Sequence, residues 1–248
     1  MPELSAPVWT LMAIAALLVG VSKTALPGSN TISVAIFAAL LPAKESTGAL
    51  LMLLIVGDAF AVFAYRRHAN WQALRRLVPT VIAGLVAGAL FLAFASDAGV
   101  RRVIGVILLV VIAMTLVRRY AGRTAQPASQ RREHLQAGIY GTLGGFTTMV
   151  ANAAGPVMSM YFLASRFSVK TFLGTAAWFY AVVNLVKVPF SVGLGLITEQ
   201  TLLVNAVLAP AVVVGAFAGR ALVSTMNQTL FDRLVILLTV VGALYLLF

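Results

Sequence analysis

The sequence predicts an all-α integral membrane protein with two inverted repeats, each a broken short-helix pair followed by three transmembrane helices. Three observations predict it: an excess of apolar residues, basic residues confined to polar connections, and matching residues in the two halves. Of the 248 residues, 61% are apolar and only 10% are charged, whereas a soluble domain is about half apolar and about a quarter charged. A soluble core cannot hide this much apolar surface, so lipid is expected to cover it.

Ten apolar segments divide the chain into two groups of five. They lie at about 8–22, 29–41, 47–65, 77–95 and 101–117, and then at 136–150, 156–165, 171–190, 202–223 and 231–248. About 20 helical residues cross the roughly 30 Å of a bilayer, so the last three segments of each half can span it and the first two are too short to cross comfortably. The predicted organisation is an N-terminal membrane repeat (1–118), a basic linker (119–134) and a C-terminal membrane repeat (135–248).

Residues with special backbone or charge properties recur in the same order in both halves. The aligned pairs are Lys44 with Lys170, Gly48 with Gly174, Asp58 with Asn184 and, after a short insertion near 191–200, Pro79 with Pro210, Gly84 with Gly215 and Gly88 with Gly219. Chance matching of Gly in apolar helices is the alternative, but the matched Lys and Pro positions favour a true repeat.

The loop charges predict that the repeats are inverted. The loop at 66–76 carries four Arg, whereas its counterpart at 191–201 has neither Lys nor Arg. Because an excess of Lys and Arg marks cytoplasmic loops, the two counterparts are expected on opposite sides of the membrane. Many secondary transporters have this architecture. The linker would then be cytoplasmic and both termini outside.

The positive charge of the chain does not indicate a nucleic-acid partner. The net charge is +11, but most basic residues lie in short polar connections, where they would face an anionic lipid leaflet. The chain has no Cys, and both His residues, His68 and His134, lie in polar stretches. We therefore expect a protein in contact with the lipid bilayer, without a metal site or a cofactor.

The joint between the two short segments of each half is broken by Gly and Pro. Paired broken segments in corresponding positions are the best sequence indication of a transporter's binding site. Helices that begin at such a break direct free N–H groups towards it, which favours an anion. The candidate substrate-binding residues are Ser22, Lys23, Thr24, Gly28, Ser29 and Asn30 in the first joint, and Thr147, Thr148, Asn152 and Gly155 in the second. The alternative is a tight turn at the membrane surface, with Lys23 extended to the interface.

Three polar residues lie inside the apolar spans: Asp58, Asn184 and Lys187. Charged residues within a membrane are costly and usually functional. Lys187, one turn after Asn184, is predicted to attract the substrate, or else to extend to the outer interface. Asp58 is the candidate ion-coupling residue, either as a proton carrier or as the partner of Lys23 or Lys187 in an ion pair.

The two joints resemble the motifs of a known family. The stretch GVSKTALPG at 20–28 looks like the first motif of one branch of the sulfite exporter TauE/SafE family, and GFTTMVANAAGP at 145–156 resembles its second-half motif. The resemblance covers essentially the whole chain. It implies an inner-membrane permease for sulfite, sulfoacetate, thiosulfate or other sulfur-containing or organic anions. Ser22-Lys23-Thr24 replaces the glycine-rich first motif common in the family, and so adds a cation at the predicted anion site.

The function predicted from these observations is secondary transport of a small anion, by alternating access around a site at the membrane midplane. Coupling to protons would run through Asp58. An anion channel and a membrane-embedded enzyme are the alternatives. An enzyme would need a nucleophile with its base, or a metal cluster, at membrane depth, and the apolar spans hold neither His nor Cys.

Overall fold

The structure is a computed structural model that describes residues 5–96, 98–100 and 130–227, with further single positions in 102–113 and 229–237. All regular secondary structure in these residues is helical. The predicted spans 101–117 and 231–248, and most of the predicted linker, lie largely outside the described residues.

The described helices follow the same order in both halves. The first half contains α1 (Ala6–Thr24), a 3₁₀ turn (Pro27–Ser29), α2 (Asn30–Leu40), α3 (Ala43–Tyr65), a second 3₁₀ turn (Arg66–His68) and α4 (Trp71–Phe94). The second half contains α5 (Gln130–Ala151), α6 (Ala154–Ala164), α7 (Val169–Gly193) and α8 (Glu199–Ser224). The predicted helices and both predicted breaks are thus confirmed over these ranges.

Five of the described helices are long and apolar enough to cross a membrane: α1, α3, α4, α7 and α8. The short helices α2 and α6 have 11 residues each, or about 17 Å, and cannot span. The prediction that the first segment of each half is also short was wrong, because α1 has 19 residues and α5 has 22. Both helices continue into flanking residues that are not apolar, and α5 begins at Gln130, inside the stretch predicted as linker.

Capping side chains fix where three of the long helices begin. Asn70, Ser168 and Thr198 each accept a hydrogen bond from the amide three residues later, at 3.0, 3.3 and 3.2 Å. A side-chain oxygen in this position satisfies one of the free N–H groups of the first turn. These caps therefore set the first residues of α4, α7 and α8.

Two pairs of helices pack as closely as glycine allows. α1 lies along α8, and α4 lies along α5. A Cβ atom on Gly20 would overlap the main chain of α8, and one on Gly145 would overlap the main chain of α4. Gly215 and Gly84 face back across the same two contacts. Small residues at such contacts let helices in lipid approach closely, so these glycines allow α1 to pack against α8 and α4 to pack against α5.

Each apolar core combines helices from both halves. One core is formed mainly by α1, α2, α3 and α8, with Met12, Phe37 and Val212 among its buried residues. The other is formed mainly by α4, α5, α6 and α7, and includes Met149 and Phe172. The fourth helix of each half therefore packs with the broken helix pair of the other half. Between the cores, α3 and α7 contact each other and bring their polar residues together.

Candidate functional site

The two breaks in the helices lie against each other. The first separates Thr24 from Asn30, and the second separates Ala151 from Ala154. The side-chain amide Nδ2 of Asn30 donates a hydrogen bond to the main-chain oxygen of Asn152 at 3.0 Å. The prediction of two broken helix pairs is thus confirmed, and the structure shows that their breaks are in contact.

Asn152 closes the second break in the left-handed backbone conformation, with φ at 53°. Asn adopts this conformation more readily than most other non-glycine residues. Its side chain is held on both sides: Nδ2 donates to the main-chain oxygen of Thr47 at 2.8 Å, and Oδ1 accepts from Lys187. The second break is therefore hydrogen-bonded to α3 and to α7.

An ion pair joins the first break to α3. The ammonium Nζ of Lys23 lies 2.6 Å from Oδ1 of Asp58, and Nδ2 of Asn184 donates to the other carboxylate oxygen at 2.6 Å. Lys23 is 8% exposed and Asp58 is 2% exposed. The alternative in which Lys23 extends to the membrane interface is therefore wrong, and its partner is Asp58.

Lys187 is fully buried, and the two side chains to which it donates hydrogen bonds are neutral. Its side chain is 0% exposed. Its ammonium donates to Oδ1 of Asn152 and to Oγ1 of Thr148, the latter at 3.3 Å. Lys187 thus does not extend to the outer interface. An ammonium held away from water costs free energy unless an opposite charge is near.

The buried charges of the described residues do not balance. They are Lys23, Asp58 and Lys187, which together carry one net positive charge when all three are ionised. A water-excluding site with an excess of one sign favours a ligand of the opposite sign. The electrostatics of the site therefore favours an anion.

A cavity of about 20 Å³ lies between the two breaks, with room for about one water molecule. The predicted site residues that line it are Ser22, Lys23, Asn30, Asp58, Thr148, Asn152, Gly155 and Asn184. An anion with several non-hydrogen atoms is larger than one water molecule, so its binding requires the walls to move apart.

The remaining predicted site residues lie beside the cavity. The hydroxyls of Thr24, Ser29 and Thr147 donate to main-chain oxygens at 2.9, 2.9 and 3.2 Å, so each already has an acceptor within the protein. Gly28 belongs to the 3₁₀ turn of the first break. Lys187 lies behind the cavity wall, against the side chains that line it.

Tyr180 lines the cavity and was not among the predicted site residues. The ammonium of Lys23 lies 4.6 Å from the centre of its ring. Tyr180 is one helical turn before Asn184 on α7, and residues four apart share a helix face. The helical spacing that relates Asn184 to the site could therefore have identified Tyr180 as well.

Fold and site together define a class: a multi-pass helical membrane protein in which two broken helix pairs meet at a buried, charged cavity, as in membrane transporters. Within that class, the chain belongs to the family described as sulfite exporter TauE/SafE, whose model matches residues 12–246. This confirms the resemblance seen in the two joints, and membrane transport as the activity of the family. Comparisons with curated proteins and with solved structures gave no match.

Proposed function

We propose that the protein is a secondary transporter of a small sulfur-containing or organic anion, of the sulfite, thiosulfate or sulfoacetate type, in the cell inner membrane. The observation that carries the proposal is Lys187, a fully buried lysine that donates hydrogen bonds to neutral side chains at the junction of the two breaks. The anion binds in the cavity, near the midplane of the bilayer. Lys187 and Lys23 attract it, and Thr148 and Asn152 orient it.

Equivalent contacts in the two halves support a repeat with an axis through the site. The residues that Gly20 faces on α8 and those that Gly145 faces on α4 occupy matching positions: Val212, Gly215 and Ala216 against Val81, Gly84 and Leu85. Asp58 and Asn184, which align with each other, are hydrogen-bonded. A residue contacts its own counterpart only near the axis that relates the repeats. The cavity beside this pair would therefore lie on the axis.

The loop charges support an axis in the membrane plane. The connection between α3 and α4 begins with Arg66 and Arg67, whereas the residues between α7 and α8 include neither Lys nor Arg. Counterparts on opposite sides of the membrane place the linker in the cytoplasm and both termini outside. Two such repeats can exchange conformations and open the shared site to each side in turn.

The ion pair between Lys23 and Asp58 is the proposed point of proton coupling. An anion that approaches Lys23 competes with the Asp58 carboxylate for the same ammonium. Protonation of Asp58 removes that competition, so one proton and one anion enter the site together. Separation of the two side chains also widens the cavity, which the size of the substrate requires.

Anion binding to the purified protein tests this proposal, with Lys187→Met as the variant and Lys170→Met as its matched control. Lys170 is exposed. The same substitution there removes a positive charge that is in contact with solvent. Titration calorimetry with sodium sulfite, thiosulfate and sulfoacetate should show binding of at least one anion by the wild type and by the control. Lys187→Met should weaken that binding roughly tenfold or more, because it removes a positive charge held directly behind the cavity wall. Wild-type affinity in Lys187→Met, or no binding by the wild type, would contradict the proposal.

A further inference from the structure

We infer that Tyr180 is a substrate ligand that selects anions bearing oxygen atoms: its hydroxyl donates a hydrogen bond to the bound anion while its ring positions Lys23. The inference rests on the proposed anion site and adds to it a neutral donor. That donor comes from α7, the helix that also carries Asn184 and Lys187.

The hydroxyl of Tyr180 is buried without a hydrogen-bond partner in the part of the chain that the structure describes. The residue is only 8% exposed, and it lines the cavity. Buried Tyr hydroxyls usually find a partner, and one that has none calls for a bound water or ligand. The cavity that Tyr180 lines is where such a partner can enter.

The ring of Tyr180 and the carboxylate of Asp58 both lie beside the ammonium of Lys23. The ammonium lies 4.6 Å from the ring centre and 2.6 Å from Oδ1 of Asp58. A cation over an aromatic face is attracted by the ring quadrupole. When Asp58 releases Lys23, the ring still keeps the ammonium beside the cavity. Tyr180 thus supplies one hydrogen-bond donor, its hydroxyl, and positions a second donor, the ammonium of Lys23.

Three donors of different kinds meet at the cavity wall from three helices. They are the ammonium of Lys23 on α1, the hydroxyl of Thr148 on α5 and the hydroxyl of Tyr180 on α7. Thr148 accepts a hydrogen bond from Lys187 at 3.3 Å, so its own hydrogen is directed to a different acceptor. Separate donors suit an anion with several oxygen atoms better than a single-atom anion such as chloride. The arrangement therefore selects an oxyanion.

The variant Tyr180→Phe removes the hydroxyl and keeps the ring. We expect its affinity for whichever of sulfite, thiosulfate and sulfoacetate binds the wild type most tightly to fall roughly tenfold or more, and its affinity for chloride to change less. Its melting temperature without ligand should stay the same or rise, because no hydrogen bond within the protein is lost. Tyr65→Phe is the matched control, since its buried hydroxyl donates to the main-chain oxygen of Thr24 at 2.8 Å. That control should melt at a lower temperature and keep the wild-type affinity.

Each outcome bears on a different statement. Unchanged oxyanion affinity in Tyr180→Phe, while the wild type binds, overturns the inference and leaves the proposed function standing. A lower melting temperature of ligand-free Tyr180→Phe also overturns it, because the hydroxyl would then have a partner within the protein. Equal weakening of oxyanion and chloride binding excludes the selection of oxyanions. A wild type that binds none of the three oxyanions overturns the inference together with the proposed function.

Discussion

The two breaks follow helices that pack in equivalent ways, and they differ in the charges that they carry. α1 and α5 each pack through a glycine onto the fourth helix of the other half, and each ends at the cavity. The first break supplies Lys23, whose ammonium is paired with Asp58. The second supplies the neutral side chains of Thr148 and Asn152, which hold the ammonium of Lys187.

This difference separates two tasks that a transport site must perform. A cation that is paired with a carboxylate can exchange that carboxylate for an anionic substrate. Its ion pair then breaks when the substrate binds. A buried cation with neutral partners leaves a positive charge for the substrate to balance. In the proposed mechanism, Lys23 therefore responds to the substrate, whereas Lys187 attracts it in every state.

Removal of the titratable carboxylate of Asp58 should have the greatest effect on transport. Asp58→Asn should abolish accumulation driven by a pH gradient, because the side chain can no longer carry a proton. Exchange of labelled for unlabelled substrate should persist, since swapping one bound anion for another needs no net proton movement. Both are measured in vesicles containing the purified protein and the anion that it binds.

Two results would contradict this assignment. Accumulation by Asp58→Asn on a pH gradient would show that Asp58 is only structural. A wild type that supports no counterflow would favour a channel, because a simple pore does not concentrate labelled substrate by exchange.

The free energy of unfolding measures how much the ion pair between Lys23 and Asp58 stabilises the protein. Lys23→Met leaves the buried Asp58 carboxylate without its cation, which should lower the free energy of unfolding by about 3–5 kcal/mol. The double variant Lys23→Met/Asp58→Asn removes both charges and should regain most of that loss. Thermal unfolding in detergent compares the two variants. A double variant as unstable as Lys23→Met alone would show that the loss comes from packing of the lysine side chain and not from the stranded charge.

Two glycine variants test whether the contact between α1 and α8 and the contact between α4 and α5 contribute equally to stability. Gly20→Ala and Gly145→Ala each push a Cβ atom against the main chain of the partner helix, at a cost of about 1–3 kcal/mol. Gly138→Ala is the control on α5, because nothing lies within 4 Å of its Cβ position. Alanine there should gain about 0.5–1 kcal/mol from helix propensity. Melting curves of the three variants check this, and clearly unequal costs at Gly20 and Gly145 would mean that the two contacts are not equivalent.

Much of the fold was predictable because lipid imposes simple rules on sequence. Apolar length, Gly and Pro located the described helices and both breaks. Helix ends were less predictable, since α1 continues through Lys23 and Thr24, and α5 starts in a polar stretch at Gln130. Hydropathy measures the part of a helix that meets lipid, whereas the backbone hydrogen bonds of the helix continue into polar residues.

The site was predictable in its residues and not in its pairings. Charged side chains inside apolar spans identified Asp58 and Lys187, and the break after the first apolar segment identified Lys23. The choice of Lys23 over Lys187 as the partner of Asp58 depends on how α1, α3 and α7 pack, which one sequence does not define. Tyr180 was missed because an aromatic residue within an apolar helix looks like any other packing residue.

The fourth helix of each half packs against the other half, and this has a consequence for how the protein is made. Thr24 on α1 hydrogen-bonds the main-chain oxygen of Ala216 on α8, 192 residues further along the chain. At a synthesis rate of about 5–20 residues per second, α1 waits on the order of 10–40 seconds for this partner. Throughout that interval the glycine face of α1 lacks α8, and for most of it Asn184 has not yet been synthesised to meet Asp58. A ribosome that stalls before α8 therefore leaves a chain in which the glycine face of α1 has no partner helix.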